Sequence, residues 1–402
     1  MKILFVYKYF LKKGGFPQEL SSFINGLPNL DTIDVICECS DGDIVINSKI
    51  NNIFKVNTLF DIIKLNVKNY NFVIFVTYSS MYNFLISVKV FSKYIIIPYS
   101  QINSFLDYDN IVEKNVAPVI KKLEKKEEKE NYSNDVYFSR VKNGKKDLGS
   151  YLRALKRKIY RKTIGNIFLK RSSAIGVLSI YVKNMINSLY PTNRFKYIYY
   201  KFGSVIKEDN IGSDRLYTKN NLIKLVIWSR VDFYYKGIDR ILNIIRKLKI
   251  NNKELMFKLF IVGPSYNNGY EKIKNYVIQN KLNRYVKLIV PGEYTSGTFG
   301  ILASSDMSVC LSRWDGYPRT LRESLLLNIP ILASEEANFD IPINDFKCGI
   351  VIKSQEELKE FLENISFELL REMENNFTNI TNYFSWETCA NEFIDQLKIL
   401  KS

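Results

Sequence analysis

Histidine is absent from the 402 residues of this chain. That excludes a Ser-His-Asp triad, a Cys-His dyad and His-ligated zinc. Carboxylates, Lys, Arg, Tyr, hydroxyls and backbone amides are left to carry any chemistry. The five cysteines, Cys37, Cys39, Cys310, Cys348 and Cys389, form no C-x-x-C pair. They lie mostly in apolar, strand-like contexts, which argues for buried free thiols in a reducing compartment and against a structural metal. No uninterrupted apolar run reaches the roughly 18–20 residues that span a bilayer. Met1 to Leu11 is broken by Lys8 and followed by Lys12-Lys13-Gly14-Gly15. A signal peptide would place a small-residue cleavage site there, so the stretch reads as a first buried strand. G-x-G-x-x-G is missing too, which removes support for a dinucleotide site.

What is present points to two α/β domains of about 200 residues each, since 402 residues exceed one ordinary core. A hydrophobic content of 46% excludes both wholesale disorder and a polytopic membrane protein. The formal net charge of +17 is compatible with nucleic acid, an anionic membrane surface or anionic substrates. The basic residues do not interleave with aromatics as a base-stacking platform requires, so nucleic acid is not expected.

Along the first half, Lys2 to Tyr7 reads as a strand, followed by Gly14-Gly15 and an amphipathic stretch from Phe16 to Leu27. Further strands are expected at Thr32 to Cys37, Phe72 to Val76 and Tyr94 to Pro98, with helices between them, which predicts a parallel sheet. Tyr99-Ser100-Gln101 follows the last of these at a carboxyl end. Residues 114–147 are rich in mixed charge and read as a surface insertion. From Tyr151 to Arg171 apolar residues lie near helical spacing among residues of positive charge only. Such a helix either lies on an anionic membrane or packs on the core with a solvated basic face. Ser179 is placed as a helix N-cap. The polar residues 207–220 read as an interdomain linker.

The second half is more regular. A strand from Leu225 to Ser229 leads into Arg230, and Lys236-Gly237-Ile238-Asp239-Arg240 opens a helix with Ile238, Leu242, Ile245 and Leu248 on one face. Strands follow at Leu259 to Gly263, Val286 to Val290 and Met307 to Leu311. Ser312 to Ser334 then reads as loop, helix and strand, with Gly316 as the bend and Pro318 in the first helical turn. It leaves two carboxylates, Asp315 and Glu323, separated by seven residues. The first lies in a loop at the carboxyl end of a strand and the second early in a helix, where open α/β sheets bind ligands and helix amides favour anions.

Ser312-Arg313-Trp314-Asp315-Gly316-Tyr317-Pro318 and Glu323-Ser324-Leu325…Asn328-Ile329-Pro330 resemble the E-x7-E signature of retaining GT-B glycosyltransferases, family 4 in particular. Asp315 stands where the first Glu is usual. Trp228-Ser229-Arg230…Lys236-Gly237-Ile238-Asp239, Gly263-Pro264 and the final Phe384-Ser385-Trp386-Glu387 are similar to further motifs of that family. Tyr200-Lys201-Phe202-Gly203 falls where relatives carry i-P-N-G-v. The resemblance implies two Rossmann-like domains facing a cleft, residues 1–206 for the acceptor and 207–384 for the nucleotide-sugar. Residues 385–402 would form a helix returning to the first domain. It further implies a retaining transfer from a UDP- or GDP-sugar to a glycan or lipid-linked acceptor, without metal or other cofactor. Arg230 and Lys236 would neutralise the leaving diphosphate and Asp315 would orient a sugar hydroxyl. Glu323 would accept hydrogen bonds from the ribose diol. The amides of Gly316, Tyr317, Arg319, Thr320 and Leu321 would cradle phosphate, and Gly14, Gly15 and Gly263 would let the backbone approach the donor. Ser100 or Gln101 would replace a histidine that many relatives bring to the sugar. Bacterial surface polysaccharide synthesis at the inner face of the cell membrane is the implied setting. An epimerase or phosphorylase of the same fold, an inactive transferase-like subunit and a basic membrane- or nucleic-acid-binding protein are the competing readings.

Overall fold

The computed structural model describes residues 1–7, 10, 15–37, 49–65, 69–77, 85–86, 92–98, 172–189, 195–204, 206, 222–251, 254–290 and 299–401. Among them run two parallel sheets. The first holds β1 (Lys2–Tyr7), β2 (Thr32–Cys37), β3 (Asn52–Lys55), β4 (Tyr70–Thr77), β5 (Ser92–Pro98), β6 (Ala174–Val177) and β7 (Tyr197–Tyr199). The second holds β8 (Ile223–Trp228), β9 (Phe257–Val262), β10 (Val286–Ile289), β11 (Met307–Cys310), β12 (Ile331–Ser334) and β13 (Gly349–Ile352). Their orders are β3-β2-β1-β4-β5-β6-β7 and β10-β9-β8-β11-β12-β13. Both follow the doubly wound scheme, in which strand order reverses beside the first strand. The reversal falls between β1 and β4 in one sheet and between β8 and β11 in the other.

Strands covered by helices on both faces read as continuous apolar runs. That is why β1, β2 and the central strands of the second sheet lie close to their expected positions. Two strands were not anticipated from the sequence. β3 is short and half-exposed on a sheet flank, and β7 has three residues at an edge. Neither has enough apolar periodicity to stand out. The Ile238–Ile250 helix buries Ile238, Ile241, Leu242, Ile245 and Leu248, as its spacing predicts, and carries Lys247 and Lys249 in its last turn. Cations there complement the helix dipole. Ser179 caps its helix as expected, accepting from the Val182 amide at 3.1 Å.

After the second sheet the chain crosses back. Cys389, Ala390, Phe393, Ile394 and Leu397 of the Trp386–Lys401 helix share one core with Ile3, Phe5, Phe23 and Ile24 of the first domain. Phe393 meets Phe23 edge to face at 5.5 Å between centroids. At the crossing, Ser204 N donates to Phe384 O at 2.9 Å. Lys201 places its ammonium 3.2 Å from the centroid of Tyr383 and pairs with Glu392 at 2.9 Å. Ser179 Oγ bonds Asn338 Oδ1 at 3.1 Å across the two domains.

Cys37, Cys310, Cys348 and Cys389 are buried and stand outside any disulfide. No helix among the described residues is long and apolar enough to cross a membrane. Cys39, Gly14, Ser100, Gln101, the insertion at 114–147, the basic stretch at 151–171 and the polar linker at 207–220 lie outside the described residues. Removing the Phe393 ring tests the returning helix. Phe393→Ala is expected to cost roughly 3–5 kcal/mol in denaturant unfolding, and a loss below about 1 kcal/mol would show that this helix is not part of the first core.

Candidate active site

The site forms where β8 and β11 diverge at their carboxyl ends, and a close approach between the loops that follow them fixes its geometry. Gly237 has φ of +67°, and a Cβ on it would stand 1.8 Å from the carbonyl oxygen of Leu311. Only glycine takes that backbone conformation at that distance. The approach carries Lys236 to Asp315, whose Oδ2 accepts from Lys236 Nζ at 2.5 Å. Both side chains are mostly buried. Burial works against the Lys236 charge, but the Asp315 carboxylate outweighs it and holds the ammonium above its ordinary pKa. Asp315 also accepts from Ser312 Oγ at 3.3 Å and from Gly316 N at 2.9 Å. Its own amide donates to Glu336 O at 2.9 Å, and Asn338 Nδ2 donates to its carbonyl.

A second bond fastens the same two loops. Arg313 Nη1 and Nη2 each donate to Asp239 at 2.6 Å, with both side chains nearly sealed from solvent at 7% and 5% exposure. Nη1 also donates to Tyr234 O. The fork-on-carboxylate geometry suits Arg and not Lys. Arg240 and Glu336 repeat the pairing nearer the surface at 2.9 Å.

The loop beyond Asp315 departs from expectation in one respect. Gly316 was expected to make the bend, but the left-handed residue is Tyr317, with φ of +68°. That conformation is costly for a bulky residue and persists only where packing imposes it. The Tyr317 ring is 3% exposed and lies 4.9 Å from the Phe339 centroid. Around Gly316 there is open space, since a Cβ there would meet nothing within 4 Å. The Arg319–Leu326 helix then begins, with Pro318 at its N-cap. Leu321 was expected to offer its amide to a ligand, but this amide already donates to Pro318 O at 3.2 Å and the side chain is fully buried. The amides of Tyr317, Arg319 and Thr320 have no acceptor among the described residues.

Glu323 is 5% exposed and accepts from Arg319 Nε at 2.8 Å through Oε1. Its Oε2 has no hydrogen-bond partner among the described residues. Burial pushes this carboxyl above the ordinary glutamate pKa, against the pull of Arg319. Arg230, at the end of β8, is exposed and lies 4.1 Å over the ring of Tyr266. Gly263 follows β9, and a Cβ on it would stand 1.9 Å from Ser229 O; this close approach brings the Ser265-Tyr266 loop beside Arg230.

The structure therefore gathers Arg230, Lys236, Gly263, Asp315, Gly316 and the start of the Glu323 helix around one switch point. Gly15 opens the first helix of the other domain. Sequence reasoning assigned no task to Asp239, Arg240, Tyr266, Glu336 or Asn338, which hold these groups in place. For Asp239 and Arg313 the signal was present, because both stand inside the motifs and carry opposite charge. Among the described residues no group of three or more carboxylates and cysteines is arranged to hold a metal. Fixed cations and unpaired helix amides suit a polyanion, and a carboxylate with a free oxygen suits a hydroxyl donor.

Comparison with known proteins bears on this same segment. Residues 215–381 match the family model described as "Glycosyl transferases group 1". Over these residues the chain is similar to the group 1 glycosyl transferases. An uncharacterized glycosyltransferase of Methanocaldococcus jannaschii, MJ1069, is 26% identical over 242 residues, which take in 58% of this chain and 60% of that protein's length. Among solved structures, sucrose-phosphate synthase from Thermosynechococcus elongatus superposes with a TM-score of 0.62 at 13% identity, over 100% of this chain and 99% of its own. Anabaena Alr3699/HepE in complex with UDP gives 0.60 at 12% identity, over 99% of this chain and 100% of its own. The fold is GT-B, two Rossmann-like domains with a returning C-terminal helix.

In this segment the buried pair can be tested by a double-mutant cycle. Arg313→Met leaves Asp239 charged and unpaired and is expected to cost about 3–5 kcal/mol. Adding Asp239→Leu should recover most of that loss, and a double variant as unstable as the single would refute the pairing.

Proposed function

We propose that this chain is a retaining glycosyltransferase that moves a sugar from a nucleotide-diphospho-sugar to a glycan or lipid-linked acceptor. The observation that carries the reading is the arrangement at the β8–β11 switch point. Two cations, three unpaired amides and a buried carboxylate converge there from separate loops. Arg230 and Lys236 bind the diphosphate and neutralise the charge that grows on it as the glycosidic bond breaks. The amides of Tyr317, Arg319 and Thr320 supply further donors at a helix N-terminus. Glu323 accepts the ribose hydroxyls, with Oε2 already free.

Asp315 faces the sugar from the other side of Lys236. In the free protein it holds Lys236 in place. With donor bound, its carboxylate orients a sugar hydroxyl and favours positive charge at the anomeric carbon. The acceptor attacks from the face that the diphosphate leaves, and a donor phosphate oxygen takes the acceptor proton. No histidine or metal is needed for these steps. The UDP complex of the HepE structure supports a uridine diphosphate donor here, with GDP the other choice. The basic stretch at 151–171 supports an acceptor at an anionic membrane surface. The setting we propose is surface polysaccharide assembly on the cytoplasmic side of the membrane.

A thermal-shift panel of UDP, GDP, ADP and CMP tests the donor site. One diphosphate at about 100 times its Kd should stabilise the wild-type fold by roughly 2.7 kcal/mol and hardly affect Glu323→Ala, and no response to any nucleotide would overturn the reading. The pH dependence follows from the raised Glu323 pKa. Protonation removes its charge and turns one of its two acceptor oxygens into a donor, so nucleotide affinity should fall, as pH drops, at a less acid pH than the 4.5 of an ordinary glutamate. Titration calorimetry should show that limb flattened in Glu323→Gln, whereas equal profiles in the two proteins would remove Glu323 from the contact.

A further inference from the structure

Arg322 precedes Glu323 in sequence, yet its side chain serves a different place. It is only 2% exposed. Nη1 donates to the carbonyl of Gly203 at 2.5 Å, in the chain that follows β7. Nη2 donates to Oε1 of Glu19, on the Gly15–Gly26 helix of the first domain. Glu19 lies one turn beyond Gly15, the residue expected beside the donor. The guanidinium also lies 6.0 Å from the Phe202 ring and 5.6 Å from the Tyr317 ring. One cation thus joins the second turn of the N-terminal helix, the chain after β7 and the residue after Gly316.

Burying a guanidinium costs desolvation, and well-packed apolar residues commonly replace a buried ion pair with no loss of stability. Here Nε is buried without an acceptor, so even the pairing is incomplete. What the ion pair adds over apolar packing is direction. Two donors spread in one plane fix the carbonyl of Gly203 and the carboxylate of Glu19 at once. Because Arg322 and Glu323 share one helical turn, a shift of the first helix against this pair moves the two walls of the cleft relative to each other.

We propose that Arg322 and Glu19 are positioning residues that set the angle between the two domains, so that the N-terminal wall meets a nucleotide-sugar held by the other domain. The proposal rests on the reading of the cleft given above. Neither residue contacts the donor diphosphate. Donor affinity and turnover should therefore separate when the pair is broken.

The test uses Glu19→Gln, which keeps an acceptor but loses the charge, and the double variant Glu19→Leu/Arg322→Met, which leaves neither partner unpaired. Nucleoside diphosphate Kd is measured by calorimetry, and turnover as release of that diphosphate from its sugar nucleotide. Small-angle scattering gives the interdomain spread without any ligand. Expected are a Kd within about twofold of wild type, turnover down by about tenfold or more, and a larger radius of gyration. Unchanged turnover in both variants would overturn the proposal, as would a Kd that weakens as much as turnover falls. If wild type binds no nucleotide, the transferase reading fails by itself, and scattering then decides. A wild-type radius of gyration in the double variant would overturn the positioning role, and a larger one would uphold it.

Discussion

The Arg313 guanidinium, buried on the Asp239 carboxylate, joins the loop after β11 to the helix after β8. Together with the contact of Gly237 against Leu311, it decides where Lys236 and Asp315 stand. Lys236 precedes that glycine and Asp315 follows that arginine by two residues, so their 2.5 Å pairing is a consequence of the join. Removing one partner leaves a charge in a medium that solvates it poorly. The site is therefore organised before any ligand arrives, and its cations need little reorganisation to meet an anion.

Much of this was legible in the sequence, for a physical reason. Strands buried on both faces are written as apolar runs, and β1 and β2 have the bounds read from composition. The loops after β8 and β9 carry a glycine where backbones meet, Gly237 against Leu311 and Gly263 against Ser229. The edge strands β3 and β7 were not legible, since half-exposed segments of three or four residues carry no period. Tyr317 misled in another way. Its left-handed backbone is imposed by the burial of its ring against Phe339, a partner that local sequence does not name.

Long-range partners were the least visible. Arg322 and Glu19 lie 303 residues apart, and Lys201 reaches Glu392 across 191. In the sequence Lys201 stood out only as a departure from the family pattern. In the fold it fills the crossing between the domains, with its ammonium on the Tyr383 ring and its charge met by the last helix. The net charge of +17 found no single explanation in the described residues, because the densest basic stretch, at 151–171, lies outside them.

The returning Trp386–Lys401 helix also bears on how the chain is made. Phe393, Ile394 and Leu397 close a core whose other walls are β1 and the helix after it, which are translated well before them. Until that helix is translated, the face of the N-terminal sheet beside the Gly15–Gly26 helix is only partly covered, and apolar surface of that kind attracts chaperones or other chains. The second sheet has no such debt, since its strands and helices are contiguous from β8 to β13. Within this sequence the first core therefore closes only after the second sheet has been made.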